Sequence, residues 1–149
     1  MRLALAAALY AALAATLGGW GGLLLWSPLP AAEIGVLALR AFVVPALGEE
    51  FLFRALLVPA SGEAARPVLW IALSCVLFTL WHAVETTFLP GSAVVFLRAD
   101  FLALAAVLGL LCALLRWRSG SIWTAVALHW LVVVAWRGWF GGPSFATPA

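Results

Sequence analysis

Long apolar runs, separated by short clusters of proline, glycine, serine and charge, constrain this chain more than any other feature. They lie at about 3–26, 33–60, 67–88, 100–116 and 121–139, and a helix needs about 20 apolar residues to cross a bilayer core of about 30 Å. Of the 149 residues, 66% are hydrophobic and only 9% are charged. A soluble domain of this size cannot cover so much apolar surface, whereas lipid covers it directly. The expected fold class is therefore all-α: a polytopic transmembrane helical bundle with about five spanning helices.

The breaks are Ser27-Pro28-Leu29-Pro30, Ser61-Gly62-Glu63 through Pro67, Leu89-Pro90-Gly91-Ser92 and Ser119-Gly120-Ser121. Pro67 is well placed to open a helix, because its missing N–H would be unsatisfied there anyway. The piece from Ala93 to Leu97 is too short to span and is expected at the membrane interface. Arg2, the apolar run and the small residues around Ala12 to Ala15 resemble a signal peptide. The run continues to Trp26, longer than such a core, so a retained first helix is expected. One domain, 1–149, is read: a leading helix and loop over 1–32, a core over 33–139 and a flexible tail over 140–149.

All eight basic residues are arginine, scattered singly apart from the pair Arg116 and Arg118. This pattern gives no nucleic-acid footprint and reads as topology determinants. Alternate threading puts Arg2, Arg66, Arg116 and Arg118 on one face and Arg98 and Arg137 on the other. The positive-inside rule then places the amino terminus in the cytoplasm and the carboxyl terminus outside. Tryptophans near the ends of the runs suit interfacial anchoring. Cys75 and Cys112 stand alone in apolar surroundings and read as small buried hydrophobes.

Against this background Glu49 and Glu50 stand out, in the middle of an apolar stretch from Ile34 to Ala60. A carboxylate at the centre of a spanning helix costs about 2.5 kcal/mol or more, so the pair needs partners or a role. Glu50 and Arg54 are four apart and share a helix face, while Glu49 is turned about 100° away and has no partner in its own helix. His82 and His129, the only two histidines, also fall inside apolar runs. At 1.5 Å per residue, Glu49, His82 and His129 lie roughly 16, 22 and 13 Å from the cytoplasmic ends of their segments, so all three can meet near mid-membrane.

One glutamate and two histidines suit two chemistries. Glu49 can act as general base on a water held by His82, with His129 donating to the oxyanion of a peptide carbonyl. Alternatively the three bind zinc, which activates the water; the HExxH signature that would sharpen that reading is absent. A third reading, from another class, is a non-catalytic immunity or scaffold protein that keeps the Glu–Arg pair for packing.

Glu-Glu-x-x-x-Arg at Glu49, Glu50 and Arg54, then Phe-x-x-x-His at Phe78 and His82, then a later helix bearing His129, resembles the CPBP family of glutamic-type intramembrane proteases. That family includes the type II CAAX prenyl endopeptidases and the bacterial Abi and bacteriocin-processing proteins. The resemblance runs from about Glu33 to Trp139, and Ser119-Gly120-Ser121-Ile122-Trp123 is similar to the family's lead into its last motif. It implies metal-independent peptide hydrolysis without a cofactor, Glu49 activating water with His82. It also implies an oxyanion pocket made by His129 and an Asn or Asp four residues on. Here that position is Val133. Trp130 and Trp136, three residues either side of it, are the candidates for a substitute N–H. The implied partners are the lipid bilayer and a membrane-embedded peptide, a C-terminal sorting tail or leader first. The absence of lysine and the Ala, Leu and Arg richness suggest a bacterial inner membrane.

Overall fold

The apolar runs become helices wherever the punctuation leaves them intact. The structure, a computed structural model, describes residues 2–88 and 93–143. Its helices are α1 (Leu3–Trp20), α2 (Ala31–Ala55), α3 (Pro67–Glu85), α4 (Ala93–Phe96), α5 (Ala99–Ser119) and α6 (Trp123–Trp139). Among the described residues the remaining pairing is one isolated β-bridge, Ser27 with Phe140. α1, α2, α3 and α5 are long and apolar enough to cross a membrane. The expected fifth span, α6, has 17 residues and so measures about 25 Å, slightly less than the hydrocarbon core. Pro67 opens α3 as expected, and Gly120 ends α5 at φ 69°, a left-handed position that suits glycine.

α5 is the centre of the bundle. It packs against α1, α3 and α6 and buries Phe101, Leu104, Ala105, Leu108, Leu111, Cys112 and Leu115 along its length. Cys112 is fully buried, in line with its reading as a small hydrophobe. α1 buries only Ala6 and Gly18 fully and leaves most of its surface outward, as a helix bathed in lipid does.

Two local expectations are corrected. The first run is helical only to Trp20, because Gly21 and Gly22, the latter at φ 67°, end the helix. The following residues run alongside the end of α6: Leu25, Ser27 and Leu29 donate to the carbonyls of Phe140, Trp139 and Gly138 at 3.2, 2.9 and 2.8 Å. Phe140, read as the start of a flexible tail, is held by this pairing and meets the Trp26 ring edge-on at 5.6 Å. The rest of the tail, 144–149, and the break at Leu89 to Ser92 lie outside the described residues. The short α4 turns Phe96 inward to 3% exposure, against His82 and Phe101, and leaves Val94 exposed.

The feature that positions the site is a break in α2. Val44 leaves helical geometry at φ −134° and ψ 117°, immediately before Pro45. Proline disfavours the helical region for its predecessor and brings no N–H of its own, so the ladder is interrupted there. The turns on either side of Gly48–Glu50 are widened into π geometry, a distortion common at functional sites.

Candidate active site

Both glutamates are buried, but they enter different surroundings. Glu50 Oε1 accepts from Arg54 Nη1 at 3.1 Å and from His129 Nδ1 at 2.9 Å. Arg54 is fully buried; its Nη2 donates to the Gly109 carbonyl at 2.9 Å, and its guanidinium lies 4.1 Å from the centre of the Phe78 ring. Gly109 allows a close approach: a Cβ there would stand 3.0 Å from Phe78 and 3.3 Å from Arg54 Nη2. The Glu50–Arg54 pair read from the sequence is therefore present, and it is also the fixed support of His129.

That support sets the histidine's chemistry. A carboxylate can only accept, so the Glu50 contact keeps the His129 proton on Nδ1 and leaves Nε2 facing Glu49, 3.9 Å from its Oε2. His82 is fixed the same way. Its Nδ1 donates to the Phe78 carbonyl at 2.9 Å, which leaves Nε2 without a proton and able to accept from water. Phe78 is the common wall, edge-on to the His82 ring at 4.8 Å and to the His129 ring at 5.6 Å.

Glu49, His82 and His129 line one cavity of about 980 Å³, together with Pro45, Trp81, Glu85, Val133, Trp136 and Arg137. Small residues of α1, Ala7, Ala11 and Ala14, form part of its wall, and most of the remaining lining is apolar. The expected meeting of one glutamate and two histidines from three helices thus holds. Among the described residues no group of three or more His, Cys, Asp and Glu side chains is arranged to hold a metal ion.

The tryptophan substitutes are corrected. Trp130 donates its indole N–H to the Ala38 carbonyl at 2.7 Å, fastening α6 to α2, and it is not part of the cavity wall. Trp136 does line the cavity, but its N–H is directed at the Leu23 carbonyl at 3.4 Å. Val133 faces the cavity, so its wall there carries no donor.

Three residues that sequence reasoning passed over complete the polar end. Glu85 lines the same cavity as Glu49. Arg137, read from sequence as a topology determinant, lies in the cavity wall within electrostatic reach of Glu85 and Glu49. The Trp81 indole N–H is buried without a hydrogen-bond partner, and Trp81 lines the same cavity as Glu49 and Glu85. Glu49 Oε2 is likewise buried without one. The signal was present: His82 and Glu85 are three apart and share a face of α3.

Comparison with protein families matches residues 31–135 to the type II CAAX prenyl endopeptidase Rce1-like model. Comparison with curated proteins and with solved structures found no match.

Proposed function

The chain belongs to the type II CAAX prenyl endopeptidase Rce1-like family, a family of integral membrane proteases, and on that premise we propose that it is a glutamic-type intramembrane endopeptidase working without a metal. The observation that carries the reading is the position of Glu49: an acid buried in an apolar cavity, its Oε2 without a hydrogen-bond partner and 3.9 Å from His129 Nε2.

In this reading a water sits against Glu49 and His82 Nε2. Glu49 removes one proton while the water oxygen bonds to the scissile carbonyl carbon. The proton passes to His129 Nε2, the resulting imidazolium being stabilised by Glu50, and leaves on the departing amine as the C–N bond breaks. Arg54 and Gly109 keep Glu50 in place through the cycle. Phe78 excludes water from the histidine side. The substrate class that suits an apolar cavity with one polar end is a membrane-embedded peptide, a C-terminal sorting tail or leader first. The setting is a bacterial inner membrane, amino terminus cytoplasmic, with lipid and peptide rather than nucleic acid as partners.

Glu49→Gln tests this. It keeps size and hydrogen bonding but removes the base, so peptide processing in membrane fractions, followed by comparative proteomics of altered termini, should fall by about 10³-fold or more. Processing that persists in the Gln variant sinks the reading. Full activity of chelator-treated protein supports metal independence, and activity restored only by zinc removes it. The second reading, a non-catalytic immunity or scaffold protein, is favoured by one observation, the donor-free Val133 wall.

A further inference from the structure

A peptide bond inside a helix is shielded by the helix's own ladder, so a water on Glu49 reaches it only where the substrate is locally extended. Extension strips that stretch of its internal hydrogen bonds, and an amide N–H left unpaired in apolar surroundings is costly. The cavity must therefore offer it an acceptor. Side chains offer few: most of the lining is apolar, and in the protease reading Glu49 and His82 are taken up with the water.

The break in α2 supplies one from the backbone. Val44, at φ −134° and ψ 117°, has the conformation of a strand residue inside a helix. Its ψ lies about 160° from the helical value, so its carbonyl is turned away from the axial direction that the ladder uses. The ladder is diverted to match. The Gly48 N–H, which a regular α-helix would give to the Val44 carbonyl, goes to the carbonyls of Val43 and Pro45 instead. Val44 and Pro45 line the same cavity as Glu49, and Val44 is 65% exposed. Val44 stands little more than one turn before Glu49, about 6–8 Å along the helix at 1.5 Å per residue. A strand advances about 3.3 Å per residue, so a substrate N–H held at Val44 falls about two residues from the peptide bond facing Glu49.

Resting on the protease reading above, we propose that the Val44 backbone carbonyl is a substrate-binding group: it accepts a main-chain N–H of the substrate about two residues from the scissile bond and holds that stretch extended against Glu49. Pro45 is a positioning residue, because it keeps the helix broken at Val44. A main-chain contact of this kind reads backbone shape rather than side chains. The substrate class it selects is an apolar segment that gives up helical geometry easily beside the cut.

The test reads initial rates on an internally quenched, S-farnesylated CAAX-type peptide with purified full-length protein in lipid nanodiscs. The peptide is made as a series in which each backbone amide near the cut, the scissile one excepted, is replaced in turn by an ester, which removes one N–H. One ester, about two residues from the cut, should lower kcat/KM by about tenfold, the effect of one hydrogen bond, and the others by less than about threefold. Pro45→Ala restores an N–H and lets the ladder close over Val44. It should lower kcat/KM on the all-amide peptide by about tenfold and reduce the penalty of that ester to below about twofold. The penalty is a ratio of two substrates on one enzyme, so it does not depend on how much of the variant is folded. Glu49→Gln is measured alongside. If it abolishes cleavage while every ester is cut like the amide peptide, the protease reading stands and this inference falls. If one ester is costly but equally so in Pro45→Ala, the N–H is received elsewhere and the role of Val44 is overturned. Cleavage indifferent to Glu49→Gln removes the protease reading itself and this inference with it.

Discussion

Glu49 and Glu50 are neighbours in sequence and opposites in environment. Glu50 Oε1 accepts two charge-assisted hydrogen bonds, from Arg54 and His129, in a region where α2, α5 and α6 close tightly around it. Oε2 of both carboxylates is buried without a hydrogen-bond partner, but Glu49 is the one that faces the cavity, with His129 Nε2 3.9 Å from its Oε2. One α-helical step of about 100° separates a support from a reagent. The comparison explains how a chain can keep two carboxylates in apolar surroundings: one is compensated by structure, and the other is exposed to the place where substrate and water go.

The sharpest way to break that comparison is to measure stability rather than activity. Arg54→Met should destabilise the protein by about 3–5 kcal/mol, because it leaves the Glu50 charge buried without its partner. Glu49→Gln should shift stability by less than about 1 kcal/mol, because no counter-charge is stranded. Both are read by thermal unfolding in detergent. If the two variants lose equal stability, the division into support and reagent is wrong.

A smaller effect is expected at Gly109. An alanine methyl would press on Phe78 at 3.0 Å and on Arg54 Nη2 at 3.3 Å, and overpacking of this kind costs about 1–3 kcal/mol. Because Arg54 then shifts away from the Gly109 carbonyl and from Glu50, His129 loses its fixed orientation. Gly109→Ala should therefore lower activity by more than its stability loss accounts for. An alanine variant with activity unchanged at a temperature where it is fully folded would show that His129 does not need the support.

How much of this was legible beforehand follows from what kind of information each feature uses. The helices, the all-α class and the Glu49–His82–His129 meeting were readable, because apolar run length, Pro67, Gly120 and the rarity of polar groups in lipid are local signals. The α2 break at Val44 and Pro45 sat in plain sight inside a run long enough to pass as one straight helix. The pairing of Leu25 to Leu29 with Gly138 to Phe140 joins residues more than a hundred positions apart, and no local pattern announces it. Glu85 and Arg137 were hidden for another reason. Charges near the ends of spanning helices ordinarily snorkel to the interface, so nothing short of the packing distinguishes one that turns inward. Trp130 is the converse case: spacing put it beside Val133, and rotation about α6 gave its N–H to Ala38 instead.

The smallest expected effect is at Trp81, and it tests whether the open side of the comparison holds water. The indole N–H and Glu49 Oε2 are a buried donor and a buried acceptor, each without a hydrogen-bond partner, in the wall of one cavity. A water bridging them satisfies both and comes to lie against the base, ready for deprotonation. Trp81→Phe keeps the ring and removes only the N–H. Since that N–H closes no hydrogen bond within the protein, its loss should leave folding stability within about 0.5 kcal/mol. The water loses one anchor, worth about 1 kcal/mol, so kcat should drop by roughly fivefold with KM nearly constant. A stability loss without a rate effect would place the Trp81 N–H on the structural side with Glu50, and the boundary between the two carboxylates would then run through α3 rather than between Glu49 and Glu50.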